Sequence, residues 1–437
     1  MIQAIFQRFS RSLVARNAAW TFAGQGTSLV IQALYFVALA RLLGSSQYGI
    51  FVGATALVTL ASQYGSMGSG LVFLRYVSPK RSEFPEYWGN VVLSILTMSV
   101  VLVLAFQLFG SHLVNRESAS ILLLVAISEC FCVQLTTCCG QVFQSFERMR
   151  ITASINVLTN FLRFGLAAAM LWSIHHATAK QWAMASLLVS TVGALVAATI
   201  VTICFGLPRL RPSLLLSRLG EGFVFAMSGS TTSAYNDLDK AMLAHYGMNA
   251  ANGIYAMAYR IVDVCTMPIR SIHFAAFPQF FRYGTQGVEH TERFARKILK
   301  RTSVLGVAVA AAMFVTAPLL PRFVGSGFAE STVALRWLCL IPLFRCFHLS
   351  AGDAMAGAGF QKYRFGLQLV AASMNFGMNL YLIPHFSWVG AAWSSLVTDG
   401  LLGATAWLAL RWLVKREKDC GMLPSAVVPE SEMASVA

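Results

Sequence analysis

Between Ala18 and Leu413 the chain is a succession of apolar stretches, each ended by a short break rich in charge, proline or glycine. A helix needs about 20 mainly apolar residues to cross a bilayer, and these stretches have that length. Twelve can be read, at about 17–41, 48–75, 88–110, 118–145, 151–174, 181–205, 221–246, 250–281, 301–323, 332–357, 361–384 and 388–413. Composition agrees. Only 12% of the residues are charged, against about 25% in soluble domains, and the mean hydropathy is +0.63. The expected fold is therefore an all-α polytopic membrane protein of about 12 transmembrane helices. The first stretch follows Arg8, Arg11 and Arg16 and ends Ala38-Leu39-Ala40, like a signal peptide. It is longer than the 7–15 apolar residues of a signal core, so it is expected to be a retained first span. Eight of the nine cysteines lie inside apolar segments, without zinc or disulfide spacing, and read as small packing residues.

A net charge of +15 would invite nucleic acid as a partner if the cations formed a face on a soluble fold. Their placement argues otherwise. With the N-terminus in the cytoplasm, 23 of the 33 Lys and Arg residues fall in inside segments, including the cluster Arg293, Arg296, Lys297, Lys300 and Arg301. Four fall outside: Arg41, Arg116, Lys180 and Arg322. This is the positive-inside pattern. It predicts both termini in the cytoplasm and leaves no nucleic-acid partner.

The halves resemble one another. Leu42-Leu43-Gly44 with Tyr48-Gly49-Ile50-Phe51 parallels His245-Tyr246-Gly247 with Asn252-Gly253-Ile254-Tyr255, and Phe146-Glu147-Arg148-Met149-Arg150 parallels Phe360-Gln361-Lys362-Tyr363-Arg364. Six spans per half is an even number, so both copies insert in the same orientation, a parallel repeat. The expectation is two pseudo-symmetric six-helix lobes around a central cavity: an N-terminal lobe 1–205, a cytoplasmic linker 206–220, a C-terminal lobe 221–414, and a disordered cytoplasmic tail 415–437.

Away from the span ends, six Lys or Arg and six Asp or Glu fall within the predicted spans: Arg163, Lys240, Arg260, Arg270, Arg336, Arg345, Glu129, Asp237, Asp239, Asp263, Asp353 and Asp399. Each costs about 2.5–3.5 kcal/mol at a helix centre on insertion scales, so they must line water or pair. Polar groups also recur at helical spacing, in Asn156, Asn160 and Arg163, in Gln134, Gln141 and Ser145, and in Gln368, Asn375 and Asn379. These read as stripes facing a common lumen, with hydrogen bonding between helices as the plainer alternative. Asp237 with Lys240, and Arg260 with Asp263, are spaced for local ion pairs. Arg163, Arg270 and Arg345 have no acid within one helical turn. They are the better candidates for an anionic ligand, since a guanidinium binds phosphate in bidentate fashion. Arg163, Arg270, Arg345, Lys240, Arg260 and Asn160 are therefore the candidate substrate-binding residues. There is no Walker A pattern, metal-ligand cluster or large extramembrane domain, so the chain is not expected to be an enzyme or to carry a cofactor.

Three stretches carry a family resemblance: Ala40-Arg41-Leu42-Leu43-Gly44 with Tyr48-Gly49; Asp239-Lys240-Ala241-Met242-Leu243 leading to Gly253-Ile254-Tyr255; and Asn379-Leu380-Tyr381-Leu382-Ile383-Pro384 with Gly390-Ala391-Ala392. In this order the chain resembles the oligosaccharide flippase (polysaccharide transporter) family, whose superfamily also holds lipid II flippases and multidrug and toxin extrusion antiporters. The resemblance implies a multi-pass protein of the bacterial inner membrane. Its substrate would be a polyprenyl-pyrophosphate-linked oligosaccharide, moved from the cytoplasmic to the periplasmic leaflet for surface polysaccharide, exopolysaccharide or O-antigen assembly. Membrane lipids and a polysaccharide polymerase or export machinery would be its partners. It also implies an ion-coupling site for Na+ or H+ made of Asp237 or Asp239, Asn375 with Asn379, and Ser395 or Thr398; both members of the eleventh-span pair are Asn here, where relatives often have an acid.

Two other functions compete. A multidrug or small-solute cation-coupled antiporter of the same superfamily usually bears an acid on the first span, where this chain has Asn17, Gln25 and Gln32. A membrane polysaccharide polymerase or ligase usually carries a large outside loop, and the break from Gly110 to Glu117 is short.

Overall fold

A computed structural model describes residues 13–420. Arg8, Arg11 and the tail beyond Cys420 lie outside the described residues. Among the described residues the chain makes twelve helical passes: 13–43, 45–77, Phe84–Leu113, 116–145, Met149–Ile174, Ala179–Phe205, Pro212–His245, Asn249–Gly284, 288–324, 326–357, 361–386 and 388–420. No strand occurs among them, as hydrocarbon demands of a chain whose backbone groups must be satisfied within each segment.

At three junctions a single residue joins the passes: Gly44, Gly325 and Ser387. The first and second passes meet at Gly44 (φ 67°, ψ 172°), a conformation that a residue without Cβ adopts at little cost. The eleventh and twelfth meet at Ser387 (φ 55°, ψ −137°), three residues after Pro384. Elsewhere local chemistry starts the helices. Asn115 accepts from the Ser118 N–H, Thr178 and Gln181 form a capping box, and Pro212 opens the seventh pass, a position where its missing N–H costs nothing.

Most predicted boundaries lie close to the observed ones, and the three largest differences are these. The expected linker 206–220 is mostly helix, because Pro212 starts the seventh pass nine residues before 221. The ninth pass starts at Val288, so the cluster Arg293–Arg301 rides on helix rather than in a loop. The twelfth runs to Cys420, six residues into the expected tail.

Among the described residues six helices are long and apolar enough to cross a membrane, with Ala23–Val77 counted as one, and up to seven if Ser326–Leu338 and Ile341–Gly357, bent by 41°, form one span. The passes that fall short are the seventh, eighth, eleventh and twelfth, whose apolar sequence is interrupted by polar groups. Outward faces are apolar: Val100, Val101, Leu104 and Leu108 on the third pass, and Leu188, Leu195 and Ile203 on the sixth, are all exposed. A patch of that kind is the mark of a lipid-facing surface.

The chain divides into two compact units, 1–256 with 321–329, and 257–320 with 330–437. In the first, aromatic residues dominate the core: Phe84 packs edge-on against Phe73 and stacks near Trp88, with Phe143 and Val201 beside them. A second cluster there joins Ile50, Val58, Ile121, Val125 and Cys130. The core of the second unit is Phe280, Ile298, Met355, Leu410 and Leu413.

Candidate functional site

The second unit buries a string of ionisable side chains on its eighth, tenth, eleventh and twelfth passes. Arg345, only 2% exposed, donates to Asp263 at 3.0 Å and to the Tyr259 hydroxyl at 3.2 Å. Arg270 approaches the same Asp263 oxygen at 3.9 Å and stays 42% exposed. Farther along these helices Asp353 holds two partners, His273 Nδ1 at 2.9 Å and Arg364 at 3.2 Å. His348 Nε2 lies 3.8 Å from Asp399. His273 Nε2 is buried and has no hydrogen-bond partner among the described residues.

Where the eleventh and twelfth passes face each other, they form a neutral ladder. Asn375 donates to Thr398 at 3.4 Å, Asn379 donates to Asn375 at 2.9 Å, and Ser394 donates to Asn379. Both cross-helix pairs are centred on the break at Ser387, as an antiparallel hairpin requires. Gly390 makes the hairpin tight: a Cβ there would stand 2.3 Å from the Leu382 carbonyl oxygen. Ser394, not named from the sequence, supplies the hydroxyl bonded to Asn379, and Ser395 is buried beside it. The side-chain oxygens of Asn375 and Asn379 each accept one hydrogen bond within the ladder, and the ladder brings no carboxylate, from which ligation of a hard cation gains. Asp237 and Asp239 belong to the first unit.

In the first unit Arg163 donates to Ser190 at 3.2 Å, and Ser190 in turn accepts from Ser128 at 3.0 Å. Ser128 sits in a π-helical turn, Ile127–Val133, which also carries Glu129. Such widened turns often mark functional positions. Arg163 makes no ion pair among the described residues, and its Nε is buried without a hydrogen-bond partner. Asn160, one turn earlier, accepts from Gln32 of the first pass at 3.5 Å. The local pair Asp237–Lys240 forms at 2.6 Å, with Lys240 also donating to the Asn236 carbonyl at 2.7 Å. Asp239 is buried and accepts from the Tyr255 hydroxyl and from the Lys240 N–H.

The helix ends expected outside are laced together within this first unit. Asn115 donates to Asn249 at 2.9 Å, Asn249 donates to Glu117 at 2.6 Å, and Asn252 donates to the Gly49 carbonyl at 3.1 Å. Arg41 caps the end of the ninth pass, reaching the carbonyls of Phe323 at 2.5 Å and Arg322 at 3.2 Å. Tyr48 and Phe328 meet edge to face.

These contacts correct several expectations. Arg345 and Arg270 do have an acidic partner, Asp263; for Arg345 it comes from another helix 82 residues away, where spacing along one helix cannot reveal it. Asp263, expected to pair locally with Arg260, takes these two arginines; Arg260 is half-buried one turn before it. The stripe Gln134, Gln141 and Ser145 does not line a lumen. Gln134 is buried and accepts from Ser66, Gln141 lies against Gly70, and Ser145 bonds its own helix. His273 and His348 were not singled out from the sequence, although histidine inside an apolar span is itself a signal. No group of three or more His, Cys, Asp or Glu residues able to hold a metal occurs among the described residues.

Residues 14–284 match the family described as polysaccharide biosynthesis protein. No curated protein matches the chain by sequence. Among solved structures, a multidrug resistance MATE family transporter of the MOP superfamily in its inward-facing conformation aligns at a TM-score of 0.70 and 16% identity, covering 89% of this chain and 96% of that one. The lipid II flippase MurJ, inward closed, aligns at 0.71 and 13% identity, covering 91% and 87%. An outward-facing MATE transporter aligns at 0.59 and 15% identity, covering 94% and 98%. At these identities the likeness is one of fold.

Proposed function

The chain belongs to the polysaccharide biosynthesis protein family, and from that premise we propose that it is a flippase of the bacterial inner membrane, with both termini in the cytoplasm. It moves polyprenyl-pyrophosphate-linked oligosaccharide from the cytoplasmic to the periplasmic leaflet, where a polymerase or export machinery takes it on toward surface polysaccharide. Transport is by alternating access of two six-span lobes, 1–205 and 221–414, around a central cavity.

The observation that carries this reading is Arg163, a guanidinium inside a membrane span with a single serine as its hydrogen-bond partner and no ion pair among the described residues. Arg270, half exposed and only loosely held by Asp263, is its counterpart in the second unit. Guanidinium groups in such settings recognise pyrophosphate by bidentate hydrogen bonds. Asn160 serves the sugar or phosphate beside Arg163. Arg345, Lys240 and Arg260 set the cationic field around the ligand while engaged by partners of their own within the protein.

Two negative charges moving outward gain roughly 2.3 kcal/mol each per 100 mV of inside-negative potential, so the potential can drive the cycle. The Asn375, Asn379, Thr398 and Ser395 set would take a coupling ion without help from a carboxylate of its own, and Asp237 and Asp239 are already engaged by Lys240 and Tyr255. The ties among Asn115, Glu117, Asn249, Asn252 and Arg41 act as the outside closure, released when the ligand is delivered.

The test is complementation of a deletion strain. Arg163→Ala and Arg270→Ala should each abolish surface polysaccharide while the protein stays inserted at normal amount. Normal polysaccharide from both would overturn the reading. Sensitivity of the deletion strain to cationic dyes with unchanged polysaccharide would mark a multidrug antiporter instead.

A further inference from the structure

We propose that the second unit carries a site for an anionic phospholipid, on the face where the ninth, tenth and twelfth passes meet near their expected cytoplasmic ends. Two adjoining cavities form it. One, of about 640 Å³, is lined by apolar side chains including Leu299, Phe344, Phe347, Trp407 and Leu408, and has Arg296, Lys300 and Arg411 at one end. The other, of about 360 Å³, shares Arg296 and Arg411 with the first and is lined mainly by charged groups. Both volumes lie in the range of small-molecule sites, about 300–1,000 Å³.

The charge of this face is unbalanced. Across the two cavities six cations face two acids, Glu289 and Glu292. Glu292 is taken by Arg296 at 2.6 Å, and Glu289 by Arg293 and Lys418. Lys300 and Arg411 form no ion pair among the described residues. The apolar cavity exists because the twelfth pass presents Gly400 and Gly403 to the tenth: a Cβ at Gly403 would come 3.1 Å from Phe347 Cβ. Trp407 donates its indole N–H to the Phe347 carbonyl at 3.1 Å, which fixes the ring at the cavity wall.

A cationic pocket opening into an apolar groove, at the end of membrane helices, is complementary to one kind of molecule, a lipid with an anionic headgroup. Basic pockets between membrane helices on the cytoplasmic side recognise such headgroups. The phosphate would sit between Lys300 and Arg411, with an acyl chain along Phe344, Phe347 and Trp407. This assignment stands independently of what the protein transports.

Full-length protein in vesicles of phosphatidylcholine, doped with brominated phosphatidylglycerol or brominated phosphatidylcholine, tests it through tryptophan quenching. The Trp407 contribution is the difference between the natural protein and Trp407→Phe. Brominated phosphatidylglycerol should quench it at lower lipid fraction than brominated phosphatidylcholine. Lys300→Gln with Arg411→Gln should weaken that preference about twenty-fivefold, taking about fivefold per surface cation. Ala404→Phe, which fills the groove and leaves every charge, should remove Trp407 quenching by both lipids, with the other eight tryptophans reporting an intact fold. Equal quenching by the two lipids, an unchanged preference in the double variant, or full competition by soluble glycerol phosphate would each overturn the site.

Discussion

Gly49 and Gly253, 204 residues apart, lie backbone against backbone, and the contact is reciprocal. A Cβ on Gly49 would stand 1.7 Å from the Asn249 carbonyl oxygen, and a Cβ on Gly253 would stand 2.0 Å from the Ser45 carbonyl oxygen. Each glycine thus meets the residue four positions before the other. The two copies of the repeated motif touch as the two sides of an isologous interface do.

Gly253→Ala should therefore disturb the outside closure more than an ordinary exchange of a small residue. Backbone atoms cannot yield as a side chain can, and overpacking of this kind costs about 1–3 kcal/mol or more. A lower thermal transition in detergent, together with faster labelling of a cysteine placed at Asn252 by a membrane-impermeant reagent, is the expected result. Unchanged labelling would show that the contact does not hold the closure.

Asp263→Asn takes from the buried Arg345 the carboxylate it is bonded to. Removing one member of a buried pair costs about 3–5 kcal/mol, whereas replacing both by apolar groups is often neutral. The single variant should lose most of its folded yield, and Asp263→Leu combined with Arg345→Met should recover much of it. A double variant as unstable as the single one would show that this pair does not account for the loss.

Asp353 binds two partners at once. Asp353→Asn weakens the bonds to both His273 and Arg364, each a bond to a charged group worth about 1.5–3 kcal/mol. Arg364→Gln removes one of them. Thermal denaturation should place Arg364→Gln about midway between the natural protein and Asp353→Asn.

Sodium should leave the protein's stability unchanged relative to potassium at equal ionic strength. A folded-state ion at 100 times its dissociation constant would add about 2.7 kcal/mol. The ladder from Asn375 to Thr398 is closed on itself and brings no carboxylate, so a sodium-specific rise in the thermal transition would overturn this expectation.

The passes were legible because each is an apolar run of a length that hydrocarbon imposes, and that signal is local. Lys240 and Asp237 could be paired from their spacing for the same reason. Arg345 and Asp263 could not, since their meeting depends on how the tenth pass packs on the eighth. Helical spacing placed Gln134 and Gln141 on one face correctly but says nothing about what that face meets. A neighbouring helix and an aqueous lumen both favour the same polar residues, and for Gln134 the neighbour is Ser66.

The single residue at Ser387 leaves no slack between the eleventh and twelfth passes. Two rods joined by so short a tether, and pinned again by Asn375 with Thr398 and Asn379 with Ser394, pivot as one lever. Any tilt begun at Arg364 on the eleventh pass is delivered to Asp399 on the twelfth, so the hairpin carries mechanical displacement as well as polar side chains.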